Sequence, residues 1–365
     1  MNFERSSERQ MLEIDGSCYS GSGTIVRQAV AFSALTGTPV RIFNIRVKRP
    51  KPGLRRQHLQ VVESIRQLVN GTCDSLTLGA QELTFRPGNP SDERRYVWDV
   101  GSAGSTVALA IAVLPLLALR AVPTAAELRG GLFQDFAPSF YHFERVLLPL
   151  VGRMGVRASA RMERPGYVPA GGGILHLMVE PTGGPLKPLV LEHQGAVARV
   201  GGVAISSRLK SQAVSSRMAQ AARQVLEAAG YHAEIEEVYD ESALQAGAGL
   251  ALVAELSGGA LIGADRAGAP GRRSEAIGSY AARQLLEDLQ SGATLDRYAA
   301  DQIIPFAALA AGESRFLIPT RTDHVESNAW LSREFLGSEV RATVRELIVK
   351  GVGFRPKGRG GPDLA

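Results

Sequence analysis

The sequence predicts an α/β or α+β protein in which a small domain is inserted into a larger, internally repeated one. Three observations carry this reading. Strand-like and helix-like hydrophobic patterns alternate almost throughout the chain. A unit of glycine turn, helix, strand and helix recurs weakly at Gly16, Gly101 and Gly130. Composition breaks at two turn-rich stretches, PTGGPLKP at 181–188 and AGAPGRR at 267–273, which read as linkers bounding the inserted segment.

The bulk numbers bound the class. With 365 residues, 45% hydrophobic and 21% charged, the chain can bury a sizeable core and is not of disordered composition. The 40 Gly and 19 Pro imply many tight turns between short elements. Lys and Arg outnumber Asp and Glu by 41 to 36, a net charge of +5 that suits a polyanionic partner without requiring one. Only Cys18 and Cys73 are present, too few to staple a fold of this size, and the charged first ten residues lack the apolar core of a secretory signal. A reduced, cytoplasmic protein is the expectation. The apolar run 103–119 contains Pro115 and falls short of the ~20 residues of a membrane span, so it reads as a buried core helix.

Along the chain, a strand at 11–15 enters the glycine-rich loop 16–23, and a helix over 24–35 ends at Gly37. A strand at 40–46, an amphipathic helix at 57–69 and short strands at 75–78, 82–85 and 95–99 follow. Then come a helix over 103–120, a strand at 126–129, a helix over 139–154 kinked at Pro149, and a strand at 174–180. The inserted segment shows a helix at 211–229 with strands at 233–238 and 250–256; helices at 274–290 and 295–311 return to the style of the first half.

Four segments carry candidate chemistry. In DGSCYSGSGTIVRQ, 15–28, glycines and hydroxyls lie where a strand hands over to a helix, and the helix's first N–H groups can hold phosphate with Arg27 one turn in. The stretch lacks the Lys-Ser/Thr of a P-loop, so a plain structural turn is the competing reading. IRVKRPKPGLRRQHL, 45–59, packs Arg46, Lys48, Arg49, Lys51, Arg55 and Arg56 around a Pro- and Gly-stiffened turn, with Gln57 and His58 opening the next helix. Guanidinium groups grip phosphate bidentately, and a rigid loop lowers the entropy lost in aiming them. In LDRYAADQIIPFAALA, 295–310, Tyr298, Asp301 and Gln302 are spaced to share a helical face suited to a purine and its ribose, although the pattern alone favours a capped helix with an amphipathic surface. Finally, His324 precedes an amphipathic helix; a neutral imidazole there can attack phosphorus to give a labile phosphoramidate, although a lone histidine at a helix start is more often a cap or surface residue. No HExxH, CxxC or paired-His spacing points to zinc.

Taken together, these segments resemble the RNA 3′-terminal phosphate cyclase family. The matches stand in family order across nearly the whole chain: DG…GSGTIVR, IR…KPGLRRQHL, DVGSAGS, RGG…AP, GYVPAGGG, YAADQ and His324. The resemblance implies three βαβαββ-type repeats forming a large domain, 1–184 and 276–365, with a smaller α/β domain at 185–275 placed before the last repeat. It implies a reaction in which a histidine takes AMP from ATP, passes it to an RNA 3′-phosphate, and the neighbouring 2′-hydroxyl closes a 2′,3′-cyclic phosphate with release of AMP. By the same resemblance His324 is the nucleophile, and Pro138, Ile111, Tyr298, Ala299, Ala300, Asp301 and Gln302 fall at nucleotide-contacting positions. Arg27, Arg46, Arg49, Arg56, Gln57 and His58 match positions that orient phosphates and substrate. ATP, a divalent Mg²⁺ or Mn²⁺ and an RNA ending in a 3′-phosphate are the implied ligands; a membrane is not, and the oligomeric state, homodimer included, stays open.

Two positions depart from the family pattern. Ser20 stands where the family usually carries a metal-linked glutamate in GEGGG, and Ile111 where it carries a glutamine near the nucleotide. These departures favour a rival reading, a cyclase-like protein that has lost catalysis and serves as an RNA-binding or ribosome-assembly factor. An enolpyruvyl transferase, with a comparable repeated architecture, and a generic RNA-binding module are further alternatives. The latter is disfavoured because aromatics are only 6% and do not interleave with the basic run.

Overall fold

The structure, a computed structural model, describes residues 10–356. Its first repeat runs β1 (Leu12–Asp15), α1 (Gly23–Thr36), β2 (Val40–Phe43), α2 (Arg56–Leu68), β3 (Thr72–Asp74) and β4 (Leu83–Arg86). The second has β5 (Arg95–Asp99), α3 (Thr106–Ala118) and β6 (Thr124–Gly130), then a segmented helix: α4 (Phe140–His142), a π-helical turn (Phe143–Leu147) and α5 (Leu148–Arg153). It closes with β7 (Arg157–Arg164) and β8 (Gly173–Glu180). The third opens with β9 (Val190–Leu191) and is interrupted at once by β10 (Val197–Ser207), α6 (Val214–Ala228), β11 (Ala233–Asp240), β12 (Gly247–Leu256), β13 (Leu261–Ala267) and α7 (Ser274–Gln290). It resumes with α8 (Ala299–Gln302), α9 (Ile304–Leu309), β14 (Ala311–Leu317), α10 (Asp323–Leu336), β15 (Glu339–Ala342) and β16 (Glu346–Val352).

Each repeat makes one four-stranded sheet with its strands in the order first, second, fourth, third: β1-β2-β4-β3, β5-β6-β8-β7 and β9-β14-β16-β15. The first pair is parallel and the other two antiparallel in every case. The parallel pair needs a helical crossover, while the last two strands can return directly. The interrupting unit is wired differently, as β11-β10-β12-β13.

The fold class is therefore the expected one, but the insertion sits inside the third repeat, after its first strand, rather than before it. Its hydrophobic core also reaches further than the linker at 267–273 suggested. Ile277, Ala281, Leu285 and Leu289 of α7 join Met218, Ala222 and Leu226 of α6 in a second buried cluster, separate from that of the repeats. An apolar stripe at four-residue spacing must be covered, and the bare Gly278 lets α7 close on α6, since a Cβ there would lie 2.1 Å from the Met218 carbonyl oxygen.

Other elements shift for local reasons. The helix expected over 295–311 is two short pieces: the Asp296 carboxylate captures the Tyr298 and Ala299 N–H groups at 2.8 Å, and Pro305 starts a fresh helix. At Pro149 the expected kink takes the form of the π-helical turn just before it. The strand expected at 75–78 lies at Thr72–Asp74 and stops at Ser75, whose φ is +61°. Strand β7, RASARMER, escaped the sequence reading because it is a polar sheet edge with no buried residue.

Helix α3 is apolar on every side and is buried accordingly; Leu109, Val113, Leu114 and Leu117 are all fully inaccessible. It packs against α1, α2, β6 and β8, so it ties the first repeat to the second. No helix among the described residues is long and apolar enough to cross a membrane.

Among the contacts that tie the insertion to the repeats, one buried carboxylate gathers the most partners. Asp296, fully inaccessible, accepts from Gly263 N–H of β13 at 2.8 Å, from the two N–H groups that begin α8, and from His142 Nε2 at 3.0 Å. Burial alone would raise its pKa; the facing His142 and these donors outweigh burial and hold it below the usual carboxylate value. We expect Asp296→Ala to lower unfolding stability by about 3–5 kcal/mol, because it strands several buried donors and leaves His142 unpaired. A denaturant midpoint close to that of the parent protein would show that solvent enters and satisfies these groups.

Candidate active site

Two helix N-termini from opposite ends of the chain meet at the site. Helix α1 is capped by Ser22, whose Oγ accepts the Thr24 N–H at 3.2 Å, and α10 by Thr322, whose Oγ1 accepts the Val325 N–H at 3.2 Å. Both end at a left-handed glycine, Gly37 and Gly337. The helices pack on each other, and each offers the site residues at i, i+3 and i+4: Thr24, Arg27 and Gln28 from one, His324, Ser327 and Asn328 from the other.

His324 Nδ1 lies 3.1 Å from Thr24 Oγ1, and Arg27 Nη2 donates to the same hydroxyl at 3.1 Å. The ring is half-buried, neither lost in the core nor free on the surface. Burial, reinforced by the positive charges of Arg27 and Arg49, holds its pKa below the ordinary imidazole value, so it is neutral at physiological pH.

The arginine loop is pinned to the glycine-rich loop. Arg49 donates to the carbonyls of Ser20 (2.9 Å) and Gly21 (3.4 Å), and Lys48 to that of Ser17 (3.0 Å). Arg46 holds the left-handed φ of +55° and bonds back to the Lys51 and Gly53 carbonyls at 2.8 and 2.7 Å, which offsets a strain of ~1 kcal/mol. Arg56 reaches instead to the second repeat, donating to the Gly101 carbonyl at 2.6 Å, while Gln57 Oε1 accepts the Ser105 N–H at 3.2 Å. His58 is buried against the start of α1, where only glycine fits: a Cβ on Gly23 would come within 2.0 Å of its Nε2. Burial, with Arg27, Arg46 and Arg55 nearby, pushes the His58 pKa well below the usual value.

The positions that the family resemblance assigns to the nucleotide divide into two groups. Asp301 faces His324's helix: Asn328 Nδ2 donates to its carbonyl at 2.7 Å and its Oδ2 at 3.3 Å. Burial pushes the Asp301 carboxyl up to about 7, with Arg27 pulling the other way, and Arg27 itself is lowered to about 10 by burial despite Asp301. Beside it Gln302 is buried, and Ala299 and Ala300 are buried packing residues. Tyr298 does not share that face. Its hydroxyl accepts from Gln284 Nε2 of α7 at 3.0 Å and its ring meets His142 edge-on, because α8 is too short to carry all three side chains round one face. Pro138 lies on this side, next to Ser139, whose N–H is held by Asp265 at 2.6 Å. Ile111 packs against the large core and offers no polar contact.

Buried polar atoms remain unmatched at this place. Gln28 Nε2, Gln302 Oε1 and Asn328 Oδ1 find no hydrogen-bond partner among the described residues. A resident divalent metal fits less well. Ser20 Oγ sits in a run of neutral hydroxyls, 3.1 Å from Ser22 Oγ and 2.8 Å from Ser327 Oγ, and no group of three His, Cys, Asp or Glu able to hold a metal occurs among the described residues.

Thr24, Ser327, Asn328, His142 and Asp296 were missed by the sequence reading. The first three were detectable in principle, since they repeat the helical spacing of Arg27 and His324; His142 and Asp296, 154 positions apart, were not.

Asp301 gives the site a pH signature. Its folded-state pKa stands above the ordinary carboxylate value, so its contribution to stability is intact below about pH 4 and is lost as pH rises through about 7. Replacing it with the permanently neutral Asp301→Asn removes that loss. The stability of the variant relative to the parent should therefore improve steadily across this window in thermal melts; a flat difference would mean that Arg27 keeps Asp301 ionised throughout.

Comparison with known proteins adds the family. A family model described as RNA 3'-terminal phosphate cyclase matches residues 18–342. Relatives bearing the name RNA 3'-terminal phosphate cyclase include one from Methanopyrus kandleri, 38% identical over 354 residues that cover 95% of this chain and 99% of the relative. Another, from Methylococcus capsulatus, is 39% identical over 331 residues, 89% of this chain and 91% of its own length; one from Archaeoglobus fulgidus is 37% identical over 341 residues, 93% and 100%. A solved structure, the enolpyruvyl transferase NikO from Streptomyces tendae, superposes with a TM-score of 0.40 and 14% identity over 96% of this chain and 50% of that one, a likeness too low to bear on function. On the extent of the sequence match, from the glycine-rich loop to β15, the chain belongs to the RNA 3′-terminal phosphate cyclase family.

Proposed function

We propose that this protein converts an RNA 3′-terminal phosphate into a 2′,3′-cyclic phosphate at the expense of ATP, with His324 as the nucleophile. The observation that carries the reading is the tethering of His324 Nδ1 to Thr24 Oγ1 on a half-buried, neutral ring. Thr24 Oγ1 has lone pairs for both Arg27 Nη2–H and an Nδ1–H of His324. In that tautomer Nε2 keeps its lone pair and is the atom that attacks.

In this reading Nε2 bonds to the α-phosphorus of ATP and pyrophosphate leaves. AMP then passes from the ring to an oxygen of the RNA 3′-phosphate, forming a mixed anhydride and freeing the imidazole. The adjacent 2′-hydroxyl closes on the activated phosphorus, loses its proton and expels AMP. Adenylylation of the RNA phosphate turns an oxygen that is a poor leaving group into AMP, a good one, so covalent activation splits one hard step into easier ones. Arg27, Arg49 and the α1 N-terminus supply fixed positive charge where the phosphates crowd together, and the unmatched amides of Gln28, Gln302 and Asn328 offer polar contacts to the nucleoside. A Mg²⁺ or Mn²⁺ accompanying ATP would be held by its phosphates, since the protein offers hydroxyls rather than carboxylates around Ser20.

Incubation with ATP labelled at the α-phosphate should label the protein through an acid-labile bond, and His324→Ala should abolish the label. Thr24→Val, which leaves the helix intact but removes the acceptor for Nδ1, should slow labelling by about ten- to a hundredfold. Label retained in His324→Ala would refute the assignment, and no label on the parent protein would favour a non-catalytic RNA-binding role, the reading that Ser20 and Ile111 support. Arg49→Ala, which unties the two loops, should impair transfer to RNA more than self-adenylylation; equal loss would assign the arginine loop to ATP.

A further inference from the structure

Next to the site, the side chains of Gln57 and His58 meet nitrogen to nitrogen. His58 is 2% exposed, and its Nδ1 accepts the Arg55 N–H at 3.0 Å, which places the ring proton of the neutral imidazole on Nε2. That Nε2 lies 3.4 Å from Gln57 Nε2. Gln57 Oε1 accepts the Ser105 N–H, so in this orientation its nitrogen is also a donor. In this orientation two donors face each other; turning the Gln57 amide over gives His58 an acceptor, because the Gln134 amide, itself turned over, accepts the Ser105 N–H at 3.0 Å. An anionic oxygen accepting from both would select the first of these two arrangements.

On another flank of Gln57 is an open pocket of about 210 Å³ lined by Arg55, Arg56, Gln57, Leu78, Ser102 and Gly104. It contains two guanidinium groups and no acid. The Arg55 side chain makes no hydrogen bond or ion pair among the described residues, whereas Arg56 is steadied by the Gly101 carbonyl. Ser102 Oγ accepts the Gly104 N–H at 3.2 Å, which leaves its own hydrogen free to donate. The N–H groups of Arg56 and Gln57, at the start of α2, have no intrahelical partner. Leu78, 57% exposed, adds an apolar flank of the kind a ribose or base covers and a triphosphate does not. Thr24, Arg27 and His324 do not line the pocket.

We propose that this pocket between the first and second repeats binds the internal phosphodiester of the RNA that precedes its terminal nucleotide, with Arg55 as the principal cation and Gln57 bridging to the terminal phosphate. The inference rests on the cyclase reading and deepens it: a pocket with two guanidinium groups and no acid, sharing Gln57 with the proposed phosphate-orienting positions, suits the next phosphate of the same strand. It makes the enzyme a reader of chain ends rather than of 3′-mononucleotides.

The test is binding without ATP, by fluorescence anisotropy, of short 3′-phosphorylated oligoribonucleotides with either a natural linkage or a neutral methylphosphonate before the last nucleotide. The parent protein should bind the neutral linkage about tenfold more weakly. Arg55→Ala should lose about the same on the natural oligonucleotide, lose nothing further on the methylphosphonate, and show a salt slope smaller by about 0.7. Ser102→Glu, which places a carboxylate at the pocket wall, should weaken the natural oligonucleotide more than the neutral one. Equal effects of either variant on both oligonucleotides, or none, would overturn the proposal. The cyclase reading is checked apart from it: a parent protein that binds 3′-hydroxyl and 3′-phosphate ends equally would count against that reading, whatever the linkage comparison gives.

Discussion

The architecture of the site depends on Asp296. Its two oxygens collect N–H groups from the insertion and from the start of α8 and face His142 from the second repeat, all without access to solvent. A buried carboxylate is tolerable only when its lone pairs are filled. That requirement fixes where the insertion sits and where α8 begins, and so where Asp301 and Tyr298 are carried. His142 takes its place in the same balance: burial would lower its pKa, but Asp296 outweighs burial and raises it.

Around His324 the balance of charge is uneven. Arg27, Arg46, Arg49 and Arg55 converge on two histidines that are both held neutral, and Asp301 is the acid that answers Arg27. Such crowding of like charge is unfavourable in the free protein and would become favourable with phosphates bound, in keeping with the polyanionic substrates of the proposed reaction. The loops are braced for it through backbone carbonyls rather than carboxylates, so the arginines keep their net charge.

Much of this was legible in the sequence. The glycine-rich loop, the arginine loop and His324 each announced a chemistry by residue type, and the structure brings all three together, with Arg27 donating to the hydroxyl that meets His324. The 295–311 stretch was less transparent. Its periodicity suggested one helix with Tyr298, Asp301 and Gln302 on one face, but a side chain captured the backbone and split it. Likewise α7 looked like part of the large domain until its apolar stripe was seen buried against α6.

Local sequence alone determined the caps, the turns and the amphipathic faces, because those depend on residues within one helical turn or strand pairing of each other. It also determined the family, through motifs kept in order along the chain. What only the tertiary structure decided is which motifs touch. Thr24 and His324 are 300 residues apart, and Gln57 meets a loop of the next repeat 48 residues on. Such contacts are set by how sheets and helices bury their apolar faces, a property of the whole chain that no single segment encodes.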